Sequence, residues 1–500
     1  MSIFKHHHRY SQFFYNPLTY AGAFLALIVF IIECFLFGID FLAKGGNVYL
    51  GIITYLLLPP FIILGLILIP VGALLKKRRI DRGLPEPAHQ KFQIDLSVPT
   101  HRNALAVFII GTSLLIVMTA IGSYKAYNYT ESVLFCGITC HGVMTPQYTA
   151  YLHSPHARVK CVECHIGEGP QWYVHYKLAG VRQLYHFLKN DYPKPISTPV
   201  HTLRPPSDTC QHCHWPEKFY GSHELRRTYY STSQGQTQPW LLRMLIRMGG
   251  DKNQDQGIHA HMFIDNDIYY VAEDEQRQKI TWIKSVTKDG TSTIFTTPDS
   301  KFKNTTPPEN LIRKMDCLDC HNRPSHQFKA PYRLVDTAFN QNLINPQIPN
   351  IKSKIMELIS ADYPTREKAV EEISSKLTAY YQKEHSEYYQ QNKKDIEQAI
   401  EQAVLLYKNN FFPEMKTRWD NRPDHIGHLW SPGCFRCHDG AHVSESGKAI
   451  TKNCTACHTI IEQGPAGAVT TNTSGLEFVH PFSDDGSWKD SNCYDCHTGN

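Results

Sequence analysis

A chain of 500 residues has room for more than one domain, and its overall make-up, 42% hydrophobic and 19% charged, hides a very apolar first quarter and a polar remainder. The net charge is only +5 and no long basic or acidic block occurs, so nothing argues for nucleic acid as a partner. The polar remainder is poor in Leu, Ile and Val for its size yet rich in His, Tyr and Pro, so its apolar core must come partly from something other than side chains.

Three stretches in the first quarter are long enough to cross a hydrocarbon layer of roughly 30 Å as helices: Tyr20 to Leu42, Leu50 to Leu75 and Ala104 to Tyr124. Pro59 and Pro60 fall inside the second and are expected to kink it. Glu33 lies past the middle of the first. An ionisable group there is either a proton acceptor or quinone-headgroup contact, or a protonated acid bonded to another helix. The basic run KKRRIDR at 76–82 follows the second span, and the N-terminus also carries KHHHR. The excess of positive charge sets the N-terminus and the 76–103 loop on the cytoplasmic side, with everything after Tyr124 on the opposite side. The first apolar run is too long, and lacks the small-residue pattern, for a cleaved signal, so it reads as a retained anchor.

Beyond the spans, Cys-x-x-Cys-His recurs at Cys161, Cys210, Cys317, Cys434, Cys454 and Cys493, and a longer variant, CGITCH, opens the series at Cys136. Chance would place only about 0.02 such strings in a chain of this composition. A zinc knuckle or a redox pair would need no histidine fixed directly after the second cysteine. Covalent attachment of a c-type haem does: two thiols add to the porphyrin edge and the next residue binds its iron. The attachment cysteines are therefore Cys136/Cys140, Cys161/Cys164, Cys210/Cys213, Cys317/Cys320, Cys434/Cys437, Cys454/Cys457 and Cys493/Cys496, and the proximal ligands are His141, His165, His214, His321, His438, His458 and His497. Of 15 cysteines only Cys34 is left over, a small apolar residue of the first span. The cofactor expected is seven covalently bound haems c.

The motifs are unevenly spaced: three fall at 136–214, one stands alone at Cys317, and three crowd into 434–497, which suggests two haem clusters bridged by a solitary haem. Between them, alternation around a Lys-Asp-Gly turn at 261–297 predicts a small antiparallel sheet. Apolar residues at helical spacing predict amphipathic helices over 352–407. The fold class expected is a mainly α multihaem cytochrome with three N-terminal membrane helices, little regular structure around the haems, a small β insertion near 260–300 and a helical hairpin. The domain division is a membrane anchor at 1–125, a four-haem domain at 126–330, a helical linker at 331–415 and a three-haem cluster at 416–500.

Haems that relay electrons keep both axial positions filled, and histidine is the available second ligand. The pool outside the motifs includes His153, His175, His186, His223, His259, His385 and His425. The candidates put forward as iron ligands are His156, His201, His261, His326, His428, His442 and His480; His326, His428 and His442 are favoured by closeness to motifs.

The order of these features resembles the NapC/NirT family of membrane-anchored multihaem cytochromes c. The resemblance rests on MTPQYTAYLHSPHARVKCVECHIG, WYVHYKLAGVRQLYHFL and PISTPVHTLRPPSDTCQHCHWPEKF, and is strongest from Tyr124 to Gly221. Three anchors and seven motifs together are similar to the ImcH-type inner-membrane cytochromes. The resemblance implies oxidation of quinol in the bacterial cytoplasmic membrane, with electrons passed to periplasmic cytochromes or reductases in anaerobic or extracellular respiration. It also implies Met144 as a ligand of the first iron, although both spacings here are one residue longer than the family's. Lys177 falls where relatives place a quinol-contacting lysine; read alone it is equally a solvated surface lysine. Gln183 stands where some relatives have an aspartate. From the residues alone, Cys136 lies a dozen positions past the third span, so its haem sits near the membrane surface, within reach of a lipid-soluble donor. Lys177 or Glu33 would then take protons. The rival readings are a terminal reductase of a small substrate such as nitrite, and a relay subunit fed by a separate membrane partner. Quinone type and oligomeric state stay open.

Overall fold

The computed structural model describes residues 11–42, 53–82, 96–139, 142–166, 170–200, 203–219, 221–233, 236–249, 257–259, 266–481 and 486–497. It divides into two compact units, Met1–Thr139 and Cys140–Asn500.

The first unit holds three helices long and apolar enough to cross a membrane: α1 (Pro17–Leu42), α2 (Pro59–Asp81) and α3 (Pro99–Thr130). The expected kink at Pro59 and Pro60 is absent, because both prolines occupy the first turn of α2, where a missing N–H costs nothing and the fixed φ favours helix entry. Pro70 is the proline inside that helix. Small residues let α1 and α2 approach backbone to backbone. A Cβ added at Gly65 would lie 2.7 Å from the Gly22 carbonyl oxygen, so only glycine fits this crossing. Thr19 Oγ1 adds a hydrogen bond across it to the Ile69 carbonyl at 3.1 Å. Farther along, Cys34 meets Met118 of α3, sulfur to sulfur, at 3.5 Å.

The second unit begins with α4 (Thr145–Leu152) and α5 (Pro170–Leu188). Its regular structure is less exclusively helical than expected. The strands are β1 (Gly221–Ser233), β2 (Gln236–Gly249), β3 (Asn266–Ala272), β4 (Ile280–Thr287), β5 (Ser292–Thr296), β6 (Arg313–Lys314), β7 (Val443–Ser444), β8 (His458–Pro465) and β9 (Thr470–Leu476). They form two antiparallel sheets, in order β1-β2-β8-β9 and β6-β3-β4-β5-β7. The predicted sheet is β3 to β5, turning at Lys288-Asp289-Gly290 with Gly290 at φ 86°. The β1–β2 hairpin was not foreseen. In WLLRMLIRMG the arginines recur four apart, which obscures a period of two, and what stabilises the strand lies far away in sequence: Arg243 pairs with Glu462 of β8 at 3.1 Å. Both sheets take their last strands from the segment containing the final three motifs.

Five helices follow: α6 (Pro331–Asn340), α7 (Ile351–Ser360), α8 (Arg366–Glu384), α9 (Ser386–Gln391) and α10 (Lys393–Asn410). α7, α8 and α10 fall where the periodicity predicts amphipathic helices, α6 precedes that stretch, and their inner faces build the main core from Val335, Ile351, Ile355, Ile359, Ile373, Leu377, Tyr381 and Ile396, none more than marginally exposed. Each such aliphatic side chain contributes roughly 1.5–3 kcal/mol. Thr365 caps α8 through the Lys368 N–H, and a buried pair, Lys352 Nζ to Asp336 Oδ1 at 2.6 Å, locks α7 to α6.

Candidate functional site

Each regular haem motif is a single helical turn, which brings the two cysteines to one side and the histidine to the end of the turn. At Cys317 the turn is held by a capping box between Asp316 and Asp319. At Cys493 the same device is built from Asn492 and Asp495. Asp319 is almost fully buried and accepts hydrogen bonds from Tyr270 at 2.6 Å, Arg277 at 2.8 Å and Arg313 at 2.8 Å.

The attachment cysteines are not all enclosed by protein, as residues that bind a cofactor usually are. Cys213 and Cys496, the second cysteines of the third and seventh motifs, are exposed, and so are Cys164, Cys434 and Cys454. The physical reason lies in the chemistry of attachment: a thiol that bonds to the rim of a haem would be shielded by the cofactor, so the chain has no need to bury the sulfur. The partners Cys210 and Cys493 in those two motifs are half-buried, which leaves each turn with one sulfur toward the protein and one toward its surface.

Histidines on opposite sides of one haem iron must keep a definite separation. A metal–nitrogen bond of about 2.0 Å and about 1.1 Å from nitrogen to ring centre on each side give about 6.2 Å between ring centres. Five motif histidines face a second histidine at that separation. His165 faces His326 at 6.3 Å, His214 faces His156 at 6.1 Å and His321 faces His259 at 6.3 Å. In the C-terminal part His458 faces His428 at 6.2 Å and His497 faces His480 at 6.0 Å. Four of the facing histidines are aimed by a backbone carbonyl that accepts from Nδ1, leaving Nε2 for a metal: His326 by Gln147, His156 by Pro324, His259 by Met248 and His480 by Pro481. A haem iron fits each pair. Among the described residues, no three His, Cys, Asp or Glu side chains converge as a protein-only metal site.

The loop carrying His428 closes tightly on the fifth motif, where Cys434 N–H donates to the Gly427 carbonyl at 2.8 Å. Gly433 has φ 50°, and a Cβ there would collide with that same carbonyl.

His442 requires a correction. It is fully buried beside the fifth motif, but Nδ1 pairs with Asp439 Oδ1 at 2.9 Å and Nε2 with the Ile280 carbonyl at 3.1 Å. Both ring nitrogens are committed to holding the chain, so neither is offered to a metal. His425 is likewise engaged, with the Asp319 carbonyl at 2.9 Å and Gln278 at 2.8 Å. His259, by contrast, belonged only to the general pool. Its N–H and its Nδ1 both reach the Met248 carbonyl at the end of β2, a pairing set by the fold and not by the surrounding residues. Cys140, His141, His201 and His261 lie outside the described residues. His438 Nδ1 bonds the Thr451 carbonyl at 2.9 Å.

The motifs do not fall into two clusters around a solitary member. The Cys210 and Cys317 thiols lie close enough to shift each other's ionisation, Cys210 downward and Cys317 upward. Cys164 lies within electrostatic reach of Cys210, Cys320 of Cys434, Cys457 of Cys434, and Cys493 of Cys454. The six regular motifs thus neighbour one another in chain order. Arg436, inside the fifth motif and buried, donates to the Asp319 carbonyl of the fourth at 2.6 Å and to the Arg277 carbonyl at 2.9 Å.

Of the remaining candidates, Cys136 lies in a short helical segment, Phe135–Thr139, just past the end of α3. Met144 is at the N-cap of α4. Lys177 and Gln183 are on α5, six positions apart and hence on different faces, Lys177 half-buried and Gln183 exposed. Leu178, Val181, Leu184, Tyr185 and Leu188 of α5 form an exposed apolar stripe. Glu33 is half-buried in α1.

Residues 98–228 match the NapC/NirT cytochrome c family, N-terminal region. Across 489 residues, 97% of this chain and 95% of the other, the sequence is 36% identical to the cytochrome c-type protein ImcH of Geobacter sulfurreducens. The chain belongs to the NapC/NirT family of cytochromes c. A second relative, the cytochrome c-type protein NrfH of Wolinella succinogenes, is 32% identical over 115 residues, 22% of this chain and 63% of that protein. No solved structure matches. Membership makes this a membrane-anchored multihaem cytochrome, with haem c covalently bound.

Proposed function

We propose that the chain is a quinol dehydrogenase that holds seven haems c and passes electrons from the quinol pool to periplasmic cytochromes or reductases. The observation that supports it most is the neighbouring of the six regular motifs in chain order, five with a second histidine at haem spacing, which makes one continuous path. The attached haems supply one-electron carriers. Oxidising a quinol releases two electrons and two protons, so the chain must place proton-accepting groups near its membrane-proximal motif.

Lys177 on α5 or Glu33 in α1 takes that part, and Gln183 stands where some relatives have an aspartate. His141 or Met144 binds the first iron, whose cysteines follow α3 by a few residues. His201 and His261 complete the set of distal ligands put forward from the sequence. The cytoplasmic basic run at 76–82 orients the chain with its N-terminus inside and its haems in the periplasm of the bacterial inner membrane.

The test is anaerobic mixing of the detergent-purified protein with a soluble menaquinol analogue while haem absorbance is followed. Rapid reduction that is lost in Lys177→Ala or Glu33→Gln supports the assignment. Haems that stay oxidised with quinol but reduce with dithionite overturn it, and point to a relay subunit fed by another protein.

A further inference from the structure

We infer that the sixth motif, Cys454 to His458, holds the haem of highest reduction potential among the six regular motifs, because neither histidine of its pair is backed by a hydrogen-bond acceptor. The inference rests on the ligation proposed above. His458 and His428 face each other at 6.2 Å with their rings 22° apart. The Nδ1 atoms of both are buried and, among the described residues, meet no partner in hydrogen-bond geometry. The Phe435 ring lies flat on the face of His428, 4.5 Å away and 7° from parallel.

The other regular motifs differ. In the second to fourth and the seventh, the facing histidine donates Nδ1–H to a backbone carbonyl, at 3.0 Å for His326, 3.2 Å for His156, 2.8 Å for His259 and 3.0 Å for His480. In the fifth, the motif's own His438 does so at 2.9 Å. Such a bond draws the Nδ1 proton toward the carbonyl and makes the ring a stronger donor through Nε2, which favours ferric over ferrous iron. Two unbacked imidazoles are weaker donors and favour the ferrous state. A second feature acts in the same direction. The Lys452 ammonium lies 5.5 Å above the outer Phe435 ring, and a nearby cation disfavours the extra positive charge of ferric iron.

The consequence is directional. One electron taken up by one ferric iron at the sixth motif is held there more firmly than at the motifs before it. Electrons from the anchor side therefore collect one step short of the C-terminal motif, where an acceptor can draw on them.

The experiment is a potentiometric titration of the full-length protein in detergent, followed by electron paramagnetic resonance, which separates high-spin from low-spin iron. In His428→Gly one new high-spin iron per chain is expected, and the low-spin component that disappears is the one with the highest midpoint among the regular haems. A new high-spin iron accompanied by loss of a middle or low component overturns the inference while leaving the ligation intact. No new high-spin iron overturns the ligation itself. Should His428→Gly fail to mature, Lys452→Gln removes the ammonium, with its hydrogen bond to Asn492, and leaves both histidines in place. The highest low-spin component should then be about threefold less reduced at its wild-type midpoint, and an unchanged highest component overturns the inference.

Discussion

Replacing His442 and replacing His259 should have opposite consequences, although both histidines lie near haem motifs. His442→Ala removes two hydrogen bonds from a fully buried ring, at 2.9 Å to Asp439 and 3.1 Å to the Ile280 carbonyl. Asp439 is partly exposed and can be hydrated, while the Ile280 carbonyl loses a donor inside the protein. Two lost bonds at about 1 kcal/mol each and one under-satisfied carbonyl amount to about 3 kcal/mol. For a cooperative unit of this size that is a fall in Tm of about 4 °C. The haem spectrum should not change. His259→Gly removes the ring that faces His321 at 6.3 Å, so it should convert one iron per chain from low to high spin. The assay is absorbance and paramagnetic resonance of the oxidised proteins beside a thermal melt. A high-spin iron in His442→Ala, or none in His259→Gly, refutes the reasoning from ring separation and nitrogen occupancy.

Lys352→Met should destabilise the helical core by about 3–5 kcal/mol at pH 8, because it leaves Asp336 buried and unpaired. Burial already pushes the Asp336 carboxyl up to about 6 despite Lys352. The folded state therefore holds this proton more tightly than the unfolded chain, and the associated stability, full below about pH 4, is lost as pH rises through 6. Without the lysine the carboxyl rises further, so melts at pH 5 should show a smaller penalty than at pH 8; an equal penalty at both would count against the burial argument. Arg436→Met removes a buried cation between the fourth and fifth motifs and should lower two midpoints in a redox titration while leaving the others in place; unchanged midpoints would show that Arg436 serves only as a structural clamp. Gly65→Ala should already keep α1 and α2 from meeting and reduce haem-stained protein in membrane fractions well below the wild-type level, and wild-type accumulation would refute the crossing.

Much of the chain is legible locally. The three spans follow from uninterrupted apolar length, and the haem motifs from a five-residue turn whose chemistry is complete within itself. The helices of 351–410 show their period because one face of each is buried in a common core. Lys288-Asp289-Gly290 announces its turn because the left-handed conformation at Gly290 suits glycine.

The second ligands are another matter. His326 reaches the motif that ends at His165 across 161 positions, and His480 reaches His497 across 17. Nothing in the residues around His259 and His442 ranks the first above the second; sheet pairing does so, by setting His259 at the end of β2 and by presenting the Ile280 carbonyl of β4 to His442. What the sequence determined by itself is the class of cofactor and the apolar spans, since each is specified within one turn or one span. Which histidine faces which, and the order in which the motifs adjoin, were decided only by the tertiary structure, because an iron between two rings is satisfied by distance and not by proximity along the chain.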